Sequence, residues 1–242
     1  MSTTIYTSNG KILINGSNNK WLSAPAVVPF GPNHVELPNG TIRIRVTPGS
    51  VPTPNGGPPG FTATNVEGDI WDVNNPGYEN LVFDYSNIKE ITVDIIDWHV
   101  KDTSTSLNDT NQRIGAGWTN LKRINISYCS HLTTLYSSFT STSIEELYLS
   151  NTSSVTNMTE MCKGASSLKM IPYIEDVTSL RECLSAFDGC VNVESGITSM
   201  YNRLSAIAAL SEIQNHYKCF YNCGSDTVTG AAELAQIPSG WK

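Results

Sequence analysis

Apolar residues in the second half of this 242-residue chain recur at near-constant intervals. The pattern apolar-x-x-apolar-x-apolar appears at Ile88/Ile91/Val93, Leu121/Ile124/Ile126, Ile144/Leu147/Leu149 and Leu168/Ile171/Tyr173, so that successive copies start at positions 88, 121, 144 and 168. A second pattern follows the later copies. Val155, Met158, Cys162 and Ala165 stand at i, i+3, i+7 and i+10; a shift of 22 gives Val177, Leu180, Leu184 and Phe187, and a further 33 gives Leu210, Ile213, Tyr217 and Phe220. Each set lays one apolar stripe along a helix. Ser154 and Asp176 are placed to cap the first two helices, and Gly164 and Gly189 to end them. One short strand and one helix cannot bury their own apolar faces, so copies must stack and share a core. The predicted fold is α/β: a short solenoid over residues 78–242, with parallel strands backed by helices. The tail from Ala231 to Pro238 reads as a closing helix, with Trp241 covering the last layer.

Residues 1–77 have a different texture. Ile42, Ile44 and Val46 alternate with Arg43 and Arg45 just after Asn39-Gly40, which predicts a turn and a half-buried strand. Residues 47–60 hold five prolines and several glycines, a composition that reads as a loop or spacer. Residues 1–25 carry short apolar patches between polar turns, like an arm that packs on a partner. This half is expected to be a β-rich N-terminal attachment segment.

Charge narrows the range of partners. The chain has 15 Lys+Arg against 22 Asp+Glu, and only 15% of its residues are charged. Ser, Thr and Asn supply the polarity instead, with counts of 27, 24 and 22. Gripping a phosphate backbone requires clustered cations, so nucleic-acid binding is disfavoured. No apolar run approaches the roughly 20 residues that a membrane-spanning helix needs, so no membrane insertion is expected. Met1 to Tyr6 has neither a basic nor an apolar region of the kind that opens a secretory signal. On that reading the six cysteines (Cys129, Cys162, Cys183, Cys190, Cys219 and Cys223) are expected as free thiols.

The repeats resemble the leucine-rich repeats of the BspA type, found in bacterial surface proteins and in phage-encoded proteins. The likeness is carried by Leu149-Ser150-Asn151, by Ser154-Val155-Thr156-Asn157-Met158-Thr159-Glu160-Met161 and by Gly164-Ala165-Ser166-Ser167-Leu168. Val177-Thr178-Ser179-Leu180 through Ala186-Phe187-Asp188-Gly189-Cys190 reads as a second copy. Phe220-Tyr221-Asn222-Cys223-Gly224 and the Gly230–Pro238 ending are similar to closing segments of such arrays. Thr41-Ile42-Arg43-Ile44-Arg45-Val46 with Ile70-Trp71-Asp72 is similar to the opening segment that precedes them in phage and prophage proteins of gut Bacteroidetes. The repeats here are few and degenerate, with an insertion around Ala206–Gln214.

Candidate chemistry is sparse. His216, Cys219 and Cys223, with Cys183 or Cys190 as a fourth ligand, have metal-ligand character. Yet Cys183/His216 and Cys190/Cys223 are both 33 apart and so read as equivalent core positions. No metal and no cofactor is expected. Asp97 and His99 fall on one side of a strand, where an acid/base pair can be built, but no nucleophile or ligand partner stands near them. Glu145-Glu146 are expected to face outward. No catalytic residues are assigned. Ligand binding is assigned to Tyr128, Tyr136, Tyr148 and Tyr201, because an aromatic face beside amides and hydroxyls suits sugars.

The resemblance implies a non-enzymatic phage virion protein, such as a head fibre, decoration or tail-associated component, located in the virion. Its partners are expected to be capsid or tail proteins through residues 1–77 and a host-cell glycan or protein through the solenoid. A homo-oligomer is expected, a trimer being one candidate. The competing readings are a bacterial cell-surface adhesin or secreted interaction module, and a glycan-degrading enzyme.

Overall fold

The computed structural model describes residues 34–52, 62–74, 92–107 and 121–242, together with Gly31 and the backbone of three short strands inside residues 5–22. Those strands, β1 (Ile5–Ser8), β2 (Lys11–Ile14) and β3 (Trp21–Leu22), form an antiparallel sheet in the order β1-β2-β3. The side chains of Ile88, Ile91 and Val93, and residues 53–60 of the Pro/Gly stretch, lie outside the described residues.

Seven strands make the main sheet: β4 (Thr41–Val46), β5 (Thr62–Glu67), β6 (Ile70–Asn74), β7 (Thr92–Trp98), β8 (Arg123–Ile126), β9 (Glu146–Leu149) and β10 (Tyr173–Ile174). Their order is β10-β9-β8-β7-β4-β6-β5, with β7 to β10 parallel and the other pairings antiparallel. The alternation in β4 does what its sequence predicts. Ile42, Ile44 and Val46 are buried, while Arg43 and Arg45 lie half-buried on the other face. Because β4 pairs with both β6 and β7, the expected boundary at residue 77 runs through one continuous sheet. Ile42, Ile44 and Val73 share a hydrophobic cluster with Ile95, Ile124 and Leu147.

Among the described residues, the segments behind the parallel strands at 134–142, 157–165 and 182–190 are turns, not helices. These three runs of linked turns and a fourth, 215–223, which opens on the end of a short helix, are stacked one on the next. Alternate backbone N–H groups close turns inside a run, as Met161 N to Met158 O (3.1 Å) and Lys163 N to Glu160 O (3.2 Å). The intervening ones reach the next run: Met158 N to Glu182 O (3.0 Å), Glu160 N to Leu184 O (2.8 Å), Cys162 N to Ala186 O (2.8 Å) and Gly164 N to Asp188 O (2.7 Å). The same four donations join 135–141 to 157–163 and 183–189 to 215–221. An α-helix spends its N–H groups within itself; here half of them tie neighbouring coils together.

This geometry requires left-handed backbone at fixed places. Ser137, Glu160, Ser185 and Lys218 have φ between 49° and 56°, and four positions further on Ser141, Gly164, Gly189 and Asn222 have φ between 53° and 73°. Around them the inward positions form four buried columns. These are Leu135/Met158/Cys183/His216, Ser138/Met161/Ala186/Cys219, Phe139/Cys162/Phe187/Phe220 and Thr142/Ala165/Cys190/Cys223.

Several expectations need correcting. Val155, Met158, Val177, Leu180, Phe187, Leu210 and Phe220 are buried, but Leu184 is only half-buried, and Ile213 and Tyr217 are 55% and 48% exposed. The stripe is out of register. Aligning Val155 with Val177 would place Asn157 opposite Ser179, whereas the isolated bridge between those coils pairs Asn157 with Glu182. A three-residue slip is nearly one helical turn, so most apolar positions survive it and the error is hard to see. Likewise Tyr173 faces outward at 39% exposure beside Tyr148, and Ile174 fills the inward place opposite Leu149.

Helices occur where the repeat is interrupted and where it ends. The step from the third turn run (182–190) to the fourth (215–223) is longer than the steps before it. The additional chain forms α1 (Ile197–Ser205), a 3-10 turn (Ala208–Leu210) and α2 (Ile213–His216). The expected closing helix is present as α3 (Val228–Ala235), capped by Thr227 Oγ1, which accepts from Gly230 N at 3.0 Å. Gly230 sits where a methyl group would run into the Val193 carbonyl oxygen, so α3 packs closely only because that position is glycine. A final 3-10 turn (Ser239–Trp241) covers the last coil. Trp241 is buried, stacks on His216 at 4.0 Å, and accepts from Phe220 N through its carbonyl at 2.8 Å. Among the described residues no helix is long and apolar enough to cross a membrane.

Candidate binding groove

The four tyrosines assigned to ligand binding have different surroundings. Tyr128 is half-buried and structural. Its ring stacks on His99 (3.8 Å, 5°), its hydroxyl donates to Val35 O (2.8 Å) and it accepts from Leu37 N (3.1 Å). Tyr201 packs edge-on against Trp241 at 5.4 Å, in the cap. Tyr148 is half-buried and donates to Glu146 at 2.9 Å; burial and that carboxylate push its hydroxyl up to about 12. Only Tyr136, at 46% exposure, is as open as the assignment requires.

Asp97 and His99 each hold the segment 34–37, as a clasp. Asp97 is fully buried and accepts from Val35 N, Trp98 N, Ser127 N (2.8 Å each) and Ser127 Oγ (2.6 Å). Burial raises its pKa, while those donors work in the opposite direction. His99 holds the Leu37 carbonyl at 2.7 Å through Nδ1 and Asp102 at 3.2 Å through Nε2. Residues 34–37 are thus strapped across β7 and the chain after β8, and the oxygens of Asp97 are occupied by that task. Asp94, also fully buried, is held by Arg123 in a two-pronged pair at 2.6 Å and by Arg45 at 3.5 Å. Glu145 bonds Lys169 and lies 3.6 Å from Lys122, which together hold its carboxyl below the usual range.

All six cysteines are free and buried. Burial pushes the thiols of Cys162, Cys219 and Cys223 well up, and that of Cys190 up to about 12, so they are protonated packing groups. His216 Nδ1 is engaged by the Leu210 carbonyl at 2.8 Å. Among the described residues no three His, Cys, Asp or Glu side chains converge as a metal site.

A further concave surface lies among the described residues, at positions to which the sequence assigns no site. Where the interruption folds back over the third coil, two adjoining hollows of about 480 and 500 Å³ share Thr178, Ile207 and Ala208. The first is walled by Glu175, Asp176, Val177 and Arg203; the second by Ser154, Thr156, Ser179, Leu180 and Arg181. Each volume lies in the range of small-ligand sites. Thr178 is fixed by Asp176, whose Oδ1 accepts from its N–H (2.8 Å) and hydroxyl (2.7 Å); these bonds hold the carboxyl below its ordinary value. Arg203 is pinned by donating to the Glu175 carbonyl at 3.1 Å. The one signal for this site in the sequence is the longer repeat spacing, which marks an insertion around Ala206–Gln214 without saying that it roofs a groove.

Comparison with protein-family models, curated proteins and solved structures returned no match for the chain.

Proposed function

We propose that the stacked coils are a short leucine-rich-repeat solenoid of the BspA type, and that the protein is a non-enzymatic phage virion component displaying a surface to host-cell glycan or protein. The observation that carries the reading is the division of labour within each turn run. The four inward columns keep apolar residues, small hydroxyls and one hydrogen-bonded histidine. The outward positions 136/159/184/217 hold Tyr, Thr, Leu and Tyr, and the positions 140/163/188/221 hold Thr, Lys, Asp and Tyr. A scaffold whose backbone hydrogen bonds set the stacking leaves its outer side chains free to vary, which suits recognition. The engagement of Asp97 by four donors further supports a binding role over catalysis. The virion assignment rests on the likeness of Thr41–Val46 and Ile70–Asp72 to phage opening segments.

Limited proteolysis of purified particles followed by mass spectrometry tests this reading. The expected result is recovery of the chain from intact particles, with the N-terminal residues protected and the 121–242 region cleaved. Recovery only from infected-cell cytosol, or from the surface of uninfected bacteria, overturns it.

A further inference from the structure

We infer that the groove beneath the chain interruption binds a carboxylate-bearing saccharide, with Arg181 as the carboxylate anchor. This rests on the display reading above and specifies where and what the surface binds. The inference starts from the cations. Of the arginines described, Arg43 pairs with Asp72, Arg45 and Arg123 with Asp94, and Arg203 is held by a backbone carbonyl. Arg181 is exposed, lines the second hollow, and among the described residues no carboxylate pairs with it. Its neighbour Glu182 is taken by Asn157 Nδ2 at 2.8 Å. An uncommitted guanidinium is a forked donor matched to a carboxylate.

The rest of the lining suits a sugar ring. Ser154 and Ser179 bring hydroxyls that both donate and accept, Thr156 and Thr178 spend their protons on the Thr133 carbonyl and on Asp176 and so present acceptors, while Ile207, Ala208 and Ala209 offer an apolar wall for C–H faces. The adjoining hollow is different in charge: Glu175 and Asp176 line it with Arg203, two carboxylates against one guanidinium that already donates to the Glu175 carbonyl, and Asp176 keeps one oxygen beyond the two bonds from Thr178. Carboxylates there accept from neutral hydroxyls and repel a second acid. The groove therefore reads as one acidic and one neutral sugar position, side by side.

The test is titration of the full ¹⁵N-labelled chain with sodium glucuronate and sodium galacturonate, against glucose, galactose and sodium acetate at equal ionic strength. At least one hexuronate is expected to shift the Arg181 side-chain Nε–H and the Thr178 amide, with the neutral sugars and acetate at least tenfold weaker. Arg181→Gln is expected to abolish the discrimination between acid and neutral sugar, and Ala208→Trp, which fills the groove, to abolish both shifts. Both residues are exposed, and unchanged melting temperatures verify that the variants fold. Equal shifts from glucose or acetate, no shift with either hexuronate, or discrimination that survives Arg181→Gln overturns the inference. Those outcomes leave the particle proteolysis result untouched, so the two readings fail separately.

Discussion

The two sides of the coil stack perform the same task by different backbone rules. On the strand side, extended residues of β7 to β10 pair in parallel, and apolar residues alternate with outward ones. On the turn side a left-handed residue recurs at an interval of four, yet the chain also sends every second N–H to the neighbouring coil. Parallel stacking therefore does not depend on strand geometry. It depends on an even spacing of donors, which a four-residue turn repeat supplies as well as a two-residue strand repeat does.

Perturbing the turn side should cost most where its columns are widest. Phe187 is fully buried and stacks on Phe220 at 5.5 Å. Phe187→Ala is expected to destabilise by about 3–5 kcal/mol in urea unfolding, the cost of a large aromatic cavity. A loss below about 1 kcal/mol would mean that the columns are not a packed core. On the strand side the sharpest probe is Asp97→Ala, which strands the N–H groups of Val35, Trp98 and Ser127. We expect a loss of about 3 kcal/mol and, in hydrogen exchange, a selective opening of residues 34–37.

Glycine separates the two backbones directly. Gly189 has φ +73° and lies 3.6–3.7 Å (for an added Cβ) from Gly164, so Gly189→Val is expected to cost about 2 kcal/mol or more. Ser185, already left-handed at φ 49°, should accept Ser185→Gly with a gain of about 0.5 kcal/mol, strain relief exceeding the added unfolded-state entropy. On the strand side Glu146→Gly should instead lose about 0.5–1 kcal/mol. Thermal melts of the three variants would show opposite signs for the last two; equal signs would erase the distinction.

The smallest effect expected is one of pH. Burial lowers the pKa of half-buried His131 below its ordinary 6.5. The unfolded chain then binds the proton more readily, so this contribution is present above pH 6.5 and is lost as pH falls through the folded value. The melting temperature of His131→Gln should decline less between pH 7 and pH 5 than that of the parent chain.

Sequence legibility follows the same division. The strand side is readable because alternation has one simple cause, and Leu121, Ile124, Ile126, Ile144, Leu147 and Leu149 all point inward as predicted. The turn side misleads because its inward positions, such as Met158, Met161, Cys162 and Ala165, fall at i, i+3, i+4 and i+7, the signature of an amphipathic helix. Only the left-handed residues distinguish the two, and Ser137, Glu160, Ser185 and Lys218 are not residue types that announce such a backbone. Gly164 and Gly189 do announce it, but they are equally good helix terminators. The groove was hidden for another reason: its two walls come from separate stretches of chain, 154–181 and 203–209, and nothing local links Arg181 to Ala208.

The four donations of each turn run all go one way, from a coil to the one after it, so the row has a polarity like the teeth of a zip. Any middle coil passes on the set of donors that it receives, which makes the array's length adjustable by whole coils. The last cannot pass its own on, and it is the tail, by bringing the Trp241 carbonyl to Phe220, that answers for the termination. Length and ending are thus separate decisions in this chain, and a variant with one coil more or fewer needs the same final residues.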